Sequence, residues 1–171
     1  MIYRFRIILD VKEDVLRDIE IESTATLEDF HNAITQAFGF LGNEMATFYR
    51  TNSNWEQGDE YPLESMDSEQ KSERYTLLNT LVSKKENQLL YVYDFLNLWT
   101  FFIVCMEVTE PVVGKSYPNL IHSQGEVPEQ APEKLFESDQ ENIEFLDEEE
   151  DNFEDDFGYD GDDEYDGDDY Y

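Results

Sequence analysis

Tyr3, Phe5, Ile7 and Leu9 alternate with Arg4, Arg6 and Asp10, so the chain opens on a half-buried strand in which Ile8 is the one break. After the polar turn Lys12-Glu13-Asp14, a second strand sets Val15, Arg17, Ile19 and Ile21 on one face. Leu16, Asp18, Glu20 and Glu22 lie on the other, which is expected in solvent. A turn that short joins antiparallel neighbours. Leu27, Phe30, Ile34, Ala37 and Phe38 then follow helical spacing. Thr26 and Asp29 resemble a capping box, Glu28 and Asp29 suit the positive end of the helix dipole, and Gly39 supplies a left-handed stop, which together predict a helix over 27–38.

Met45 to Thr51, with Phe48 and Tyr49, predicts a third strand, and Tyr75 to Val82 a short helix. Residues 52–73 between them are polar and acidic, with Gly58 and Pro62; a loop of that length is either functional or mobile. The densest apolar stretch follows, Leu89 to Phe95 and Leu98 to Val108, broken at Leu96-Asn97 as in a tight hairpin. Both faces of these strands are apolar, as in central strands covered on both sides or in a sheet that keeps one face open for a partner. The expected fold is α+β: a mostly antiparallel or mixed sheet of about five strands, in the order strand-strand-helix-strand-(short helix)-strand-strand, with the main helix packed on one face.

Charge divides the chain. Of 171 residues, 42 are Asp or Glu and 11 Lys or Arg, a net charge of −31. Residues 137–171 hold 19 acids and no Lys or Arg, whereas residues 1–136 hold 23 acids and all 11 bases, leaving −12. Runs such as Asp147-Glu148-Glu149-Glu150-Asp151 repel within a Debye length of about 8 Å, and aliphatic residues are too few to offset chain ordering, so this tail is expected to be disordered. Pro118, Pro128 and Pro132, with Ser123 and Gly125, make residues 111–136 irregular. The expected division is a body over 1–122, a connector over 123–136 and the acidic tail over 137–171. The charge argues against direct binding of nucleic acid by the full chain, and against anionic membranes, since both need Lys and Arg. A single cysteine, Cys105, forms no internal disulfide, the start does not resemble a signal peptide, and the longest apolar run, Leu98 to Met106, is too short to span a bilayer. A cytoplasmic location is expected.

Several of these segments together resemble one family. Val15-Leu16-Arg17-Asp18-Ile19, Thr26-Leu27-Glu28-Asp29-Phe30-His31 leading to Ala37-Phe38-Gly39-Phe40, and above all Tyr91-Val92-Tyr93-Asp94-Phe95 with Trp99 follow, in order and spacing, the Ri-plasmid ORF-three-like family over roughly residues 2–130. The resemblance implies an α+β fold and a bacterial, mobile-element-associated pedigree, with no settled activity. It also exposes departures. Leu96-Asn97 stands where the family has Gly-Asp, Phe101 where it has His, and Leu16 where it has Trp. Its Gly-Glu-x-x-Pro-Pro-Glu-Asp segment survives only as Gly125 to Gln130. Packing residues have replaced polar chemistry. The family's signature hairpin makes Tyr91, Tyr93, Asp94 and Trp99 the candidate binding residues.

Read for chemistry, His31 lies at the buried edge of the helical stripe, the pattern of a structural histidine, and His122 falls in an irregular segment. Two histidines and one cysteine without close spacing give no zinc signature, and neither metal nor cofactor is expected. Cys105 sits among Phe102, Ile103, Val104 and Met106, the setting of an inert buried thiol. Nucleophile elbows, phosphate-cradling loops and dinucleotide fingerprints are missing from the sequence. Asp94 is the one unusual acid, either bonding backbone N–H groups of a turn or contributing to a site. In the tail, Asp162-x-Glu164-x-Asp166-Gly167 imitates the start of a calcium loop but lacks the bidentate Glu at its twelfth position. Phe153, Phe157, Tyr159, Tyr165 and Tyr170 are spaced among acids, a composition that solubilises or binds basic protein surfaces. The reading that follows is a non-enzymatic interaction module with a polyanionic tail. Its alternative is a mobile-element accessory protein or enzyme acting on or near nucleic acid, with the tail as nucleic-acid mimic or autoinhibitor and a basic cleft built from Arg4, Arg6, Arg17, Arg50, Lys84 and Lys85.

Overall fold

A computed structural model describes residues 1–134. Seven strands, β1 (Ile2–Leu9), β2 (Leu16–Glu22), β3 (Ala46–Thr51), β4 (Gln57–Pro62), β5 (Gln88–Tyr93), β6 (Trp99–Thr109) and β7 (Asn119–Gln124), form one sheet in the order β4-β3-β5-β6-β1-β2-β7. Each neighbouring pair is antiparallel. The helices among the described residues are α1 (Leu27–Phe38) and the four-residue α2 (Leu78–Leu81). The expected five-stranded α+β layer built on a main helix is therefore corrected to a mostly antiparallel sheet of seven strands that carries two small helices. The strands left out of the expectation, β4 and β7, are the two sheet edges. Edge strands bury little, so Gln57-Gly58-Asp59-Glu60-Tyr61-Pro62 and Asn119-Leu120-Ile121-His122-Ser123-Gln124 carry no apolar alternation by which to recognise them.

Helix α1 spans the range its periodicity predicts. The Thr26 hydroxyl accepts from the Asp29 N–H while the Asp29 carboxylate accepts from the Thr26 N–H, and Gly39 closes the helix at φ +80°. Its buried face carries Phe30, Ile34 and Phe38 into a file of aromatic rings that links helix to sheet. Phe30 lies 4.7 Å from Phe5 and 5.6 Å from Phe48, Phe48 lies 4.7 Å from Tyr91, and Phe38 lies 4.9 Å from Phe101, centroid to centroid. Offset and edge-on rings at these spacings add attraction beyond the apolar area they bury.

On the opposite sheet face, Glu22 is exposed as expected, but Asp18 and Glu20 of β2 are not in solvent. Asp18 receives two bonds from the Arg6 guanidinium at 2.9 Å, and Glu20 pairs with Arg4 at 2.8 Å and with Lys115. Glu20 is only 4% exposed. Antiparallel register sets Arg4 opposite Glu20 and Arg6 opposite Asp18, so pairing across strands replaces hydration. Further along this face, half-buried Phe102 takes the indole of Trp55 edge-on at 5.0 Å.

Candidate functional site

Of the candidate binding residues, Tyr91 and Tyr93 lie below α1. Tyr91 and Tyr93 are alternate residues of β5, so both project to the helix side, where His31 meets them one turn after the N-terminus of α1. The His31 Nε2–H donates to the Gly42 carbonyl at 3.1 Å, which leaves Nδ1 to accept from the Tyr91 hydroxyl at 2.6 Å. Tyr93 completes the group by accepting the Gly42 N–H at 3.0 Å. Burial holds the His31 pKa below its ordinary value, against the opposing pull of the Gly42 carbonyl, and raises that of Tyr91 well above. A neutral imidazole whose one lone pair is occupied is poorly suited to proton transfer, and the arrangement fastens the segment after α1 to the central strands. Beside it, a polar cavity of about 120 Å³ is lined by His31 and Gly42 and edged by Glu28, Glu64 and Arg74, and Arg74 bonds Glu28 at 2.6 Å.

Asp94 serves the hairpin. It sits at φ +62°, where a short polar side chain can bond locally, and its carboxylate accepts from the N–H groups of Leu96 and Asn97 and from the Asn97 amide. The connection runs from Asp94 to Leu98, longer than the tight turn expected at Leu96-Asn97. Trp99 is 7% exposed and packs on Phe40 at 5.1 Å. Thus Tyr91, Tyr93 and Trp99 are buried together and Asp94 lies apart from them in the turn. Phe153, Phe157, Tyr159, Tyr165 and Tyr170 lie outside the described residues.

Four of the six bases named for a nucleic-acid cleft, Arg4, Arg6, Arg17 and Arg50, do not share a face. Arg4 and Arg6 are held by Glu20, Glu107 and Asp18 on the side away from α1. Arg17 points to the helix side, lies over the Phe38 ring at 4.9 Å and donates to the carbonyls of Leu16, Ala37, Gln124 and Gly125. Arg50 donates to the Thr80 carbonyl beside Glu86. Cys105 is buried, its thiol pushed up to about 11 by that burial, far from a reactive thiolate. Among the described residues, no three His, Cys, Asp or Glu side chains gather as metal ligands would. Nor is any helix there long and apolar enough to cross a membrane.

One recess is open to solvent and was not visible in the sequence. A groove of about 460 Å³, continued by a second of about 170 Å³, runs between the outer face of α1 and the β2–β7 edge, the two sharing Ala33, Gln36 and Pro118. Ile19 and Ile21 lie beneath it, each 1% exposed, so the surface it presents is largely polar, with Ala33, Pro118 and Leu120 as apolar patches. Its rim is acidic or neutral, formed by Glu22, Asp29, Asn32 and Gln36, and no Lys or Arg lines either part. The sequence signal that could have found it is the run Ser116 to Gly125, ten residues without Asp, Glu, Lys or Arg in a chain that is 31% charged.

No curated protein matches the chain. Its fold is similar to that of a protein of unknown function from Methanosarcina mazei Go1, with a TM-score of 0.66 at 21% identity, over 75% of this chain and 72% of the other. The model of the plasmid pRiA4b ORF-3-like protein family matches residues 1–169, and it is to this family that the chain belongs.

Proposed function

We propose that this chain is a non-enzymatic binding module for basic protein partners, engaged by the folded body and by the acidic, aromatic tail sequence. The observation that carries the reading is the groove between α1 and the β2–β7 edge: a largely polar recess with apolar patches at Ala33, Pro118 and Leu120 and a rim of carboxylates and amides, without a cation to accept phosphate. Such a surface suits side chains with an aliphatic stem and a positive head, as Lys and Arg have. A body of −12 and a tail of −19 would steer such partners and repel polyanions. The engagement of Arg4, Arg6, Arg17 and Arg50 within the fold further supports a protein rather than a nucleic-acid ligand.

Calorimetric titration of the full chain with a Lys-rich peptide tests this. Binding is expected to weaken with salt, on changing Phe153, Phe157, Tyr159, Tyr165 and Tyr170 together to Ala, and on Gln36→Lys in the groove. Binding no tighter than to a polyglutamate of equal charge would overturn the reading. So would turnover of phosphoester, ester or peptide substrates that is lost on Asp94→Asn.

A further inference from the structure

The two edges of the sheet are treated differently. At one end, β4 carries Asp59 and Glu60, ends on Pro62, and contains Gly58 against the Arg50 carbonyl at a register shift. Charges, proline and irregular pairing are the devices by which proteins close an edge to further strands. At the other end, β7 has no charged residue and no proline, and among the described residues it pairs only with β2. Leu120 and Ile121 are 47% and 39% exposed there. Its one irregularity is a bulge at Ile121, between Leu120 opposite Ile19 and His122 opposite Asp18. In a chain this rich in charge, a neutral six-residue edge with exposed aliphatic side chains stands out.

The open edge also adjoins the groove. Leu120 and Asn119 belong both to β7 and to the groove wall, and Arg17 fixes the far end of β7 by its bonds to the Gln124 and Gly125 carbonyls. A strand laid beside β7 would satisfy backbone groups that β7 leaves unpaired among the described residues. Its side chains would alternate between the two sheet faces, every second one on the groove side.

We propose that β7 is a strand-addition site, which takes an extended, Lys- or Arg-bearing segment of a partner protein as an eighth strand and receives its alternate side chains along the α1 groove. This rests on the binding-module reading above and adds where and how the partner binds. Charge selects the occupant. Two copies meeting edge to edge would each bring −31, whereas a cationic strand meets the acids Glu22 and Asp29 on the rim.

The test uses the full chain and a synthetic ten-residue peptide alternating Lys with Val or Thr, plus two isomers N-methylated on opposite sets of alternate amides. The parent peptide is expected to slow hydrogen exchange at amides of residues 119–124. One methylated isomer should bind within about threefold of the parent and the other lose at least about tenfold, because only one edge of the peptide strand faces β7. Leu120→Lys with Ile121→Lys, both at exposed positions, should cost a similar factor while leaving thermal stability close to wild type. Equal binding of the two isomers, or exchange protection confined to other strands, would overturn strand addition and leave a cation-binding module standing. Self-association of the chain through β7 that the peptide does not displace would likewise overturn it, in favour of a second copy. Failure of every cationic peptide to bind would remove both proposals.

Discussion

His31 Nδ1 and the Tyr91 hydroxyl lie 2.6 Å apart, a hydrogen bond that ties helix α1 to the central strand β5 across 60 residues of sequence. Both side chains are almost wholly buried, so neither has water to turn to. Tyr91→Phe should therefore destabilise the fold by about 1–3 kcal/mol, the cost of leaving a buried acceptor unpaired. Urea unfolding checks it, and a change below about 0.5 kcal/mol would mean that water reaches Nδ1.

The same pair sets a pH dependence. His31 in the folded chain has a pKa below the ordinary 6.5, so between the two values the unfolded chain binds the proton and the folded chain does not. Stability from the neutral imidazole is complete above about pH 6.5 and is lost as pH falls through the folded pKa. Glu20, whose pKa is lowered by Lys115 and then by Arg4, adds a second loss as pH falls below its ordinary 4.5. Unfolding curves from pH 8 to 3 should show both limbs, and His31→Gln should remove only the upper one.

Arg17 fastens β7 to the body through the carbonyls of Gln124 and Gly125. Arg17→Met keeps the aliphatic stem over Phe38 but leaves these carbonyls and that of Ala37 without their donor. The expected result is faster hydrogen exchange at β7 amides with little change in β5 and β6, together with a loss of about 2–3 kcal/mol. Uniform acceleration across the sheet would contradict a local role.

Gly125 sits at φ +75°, and a Cβ there would come within 2.2 Å of the Asp14 carbonyl oxygen. Gly125→Ala combines left-handed strain with a backbone clash. A loss on the order of 3 kcal/mol is expected in thermal or urea unfolding.

Cys105, with its thiol pushed up to about 11, should be alkylated at pH 8 far more slowly than a free thiol. Labelling should proceed at the rate of unfolding and accelerate in urea. Rapid labelling of the native chain would show β6 to be open at that point.

How much of this was legible in the sequence follows from what each residue's environment depends on. The alternation of Tyr3 to Leu9, the helical stripe from Leu27 to Phe38 with its caps, and the apolar strands around Tyr91 and Phe101 are local patterns. Each repeats with the period of the element that buries it, so the sequence located them. His31 was legible as a structural histidine for the same reason, whereas its tie to Tyr91 was not, because the register of β5 beneath α1 brings the two rings together. Likewise the acids Asp18 and Glu20 read as solvated until Arg6 and Arg4 arrive opposite them.

By itself, the sequence determined the family, the division of charge between body and tail, and the strands and helix that supply the core, since all of these are carried by residues close together in the chain. Only the tertiary structure decided the number of strands, the all-antiparallel order, the pairing of the arginines and the groove beside β7. Edge strands are stabilised by backbone pairing to a neighbour rather than by burial of their own side chains, and a groove exists only where two distant segments meet. Neither property leaves a periodic trace in the chain that forms it.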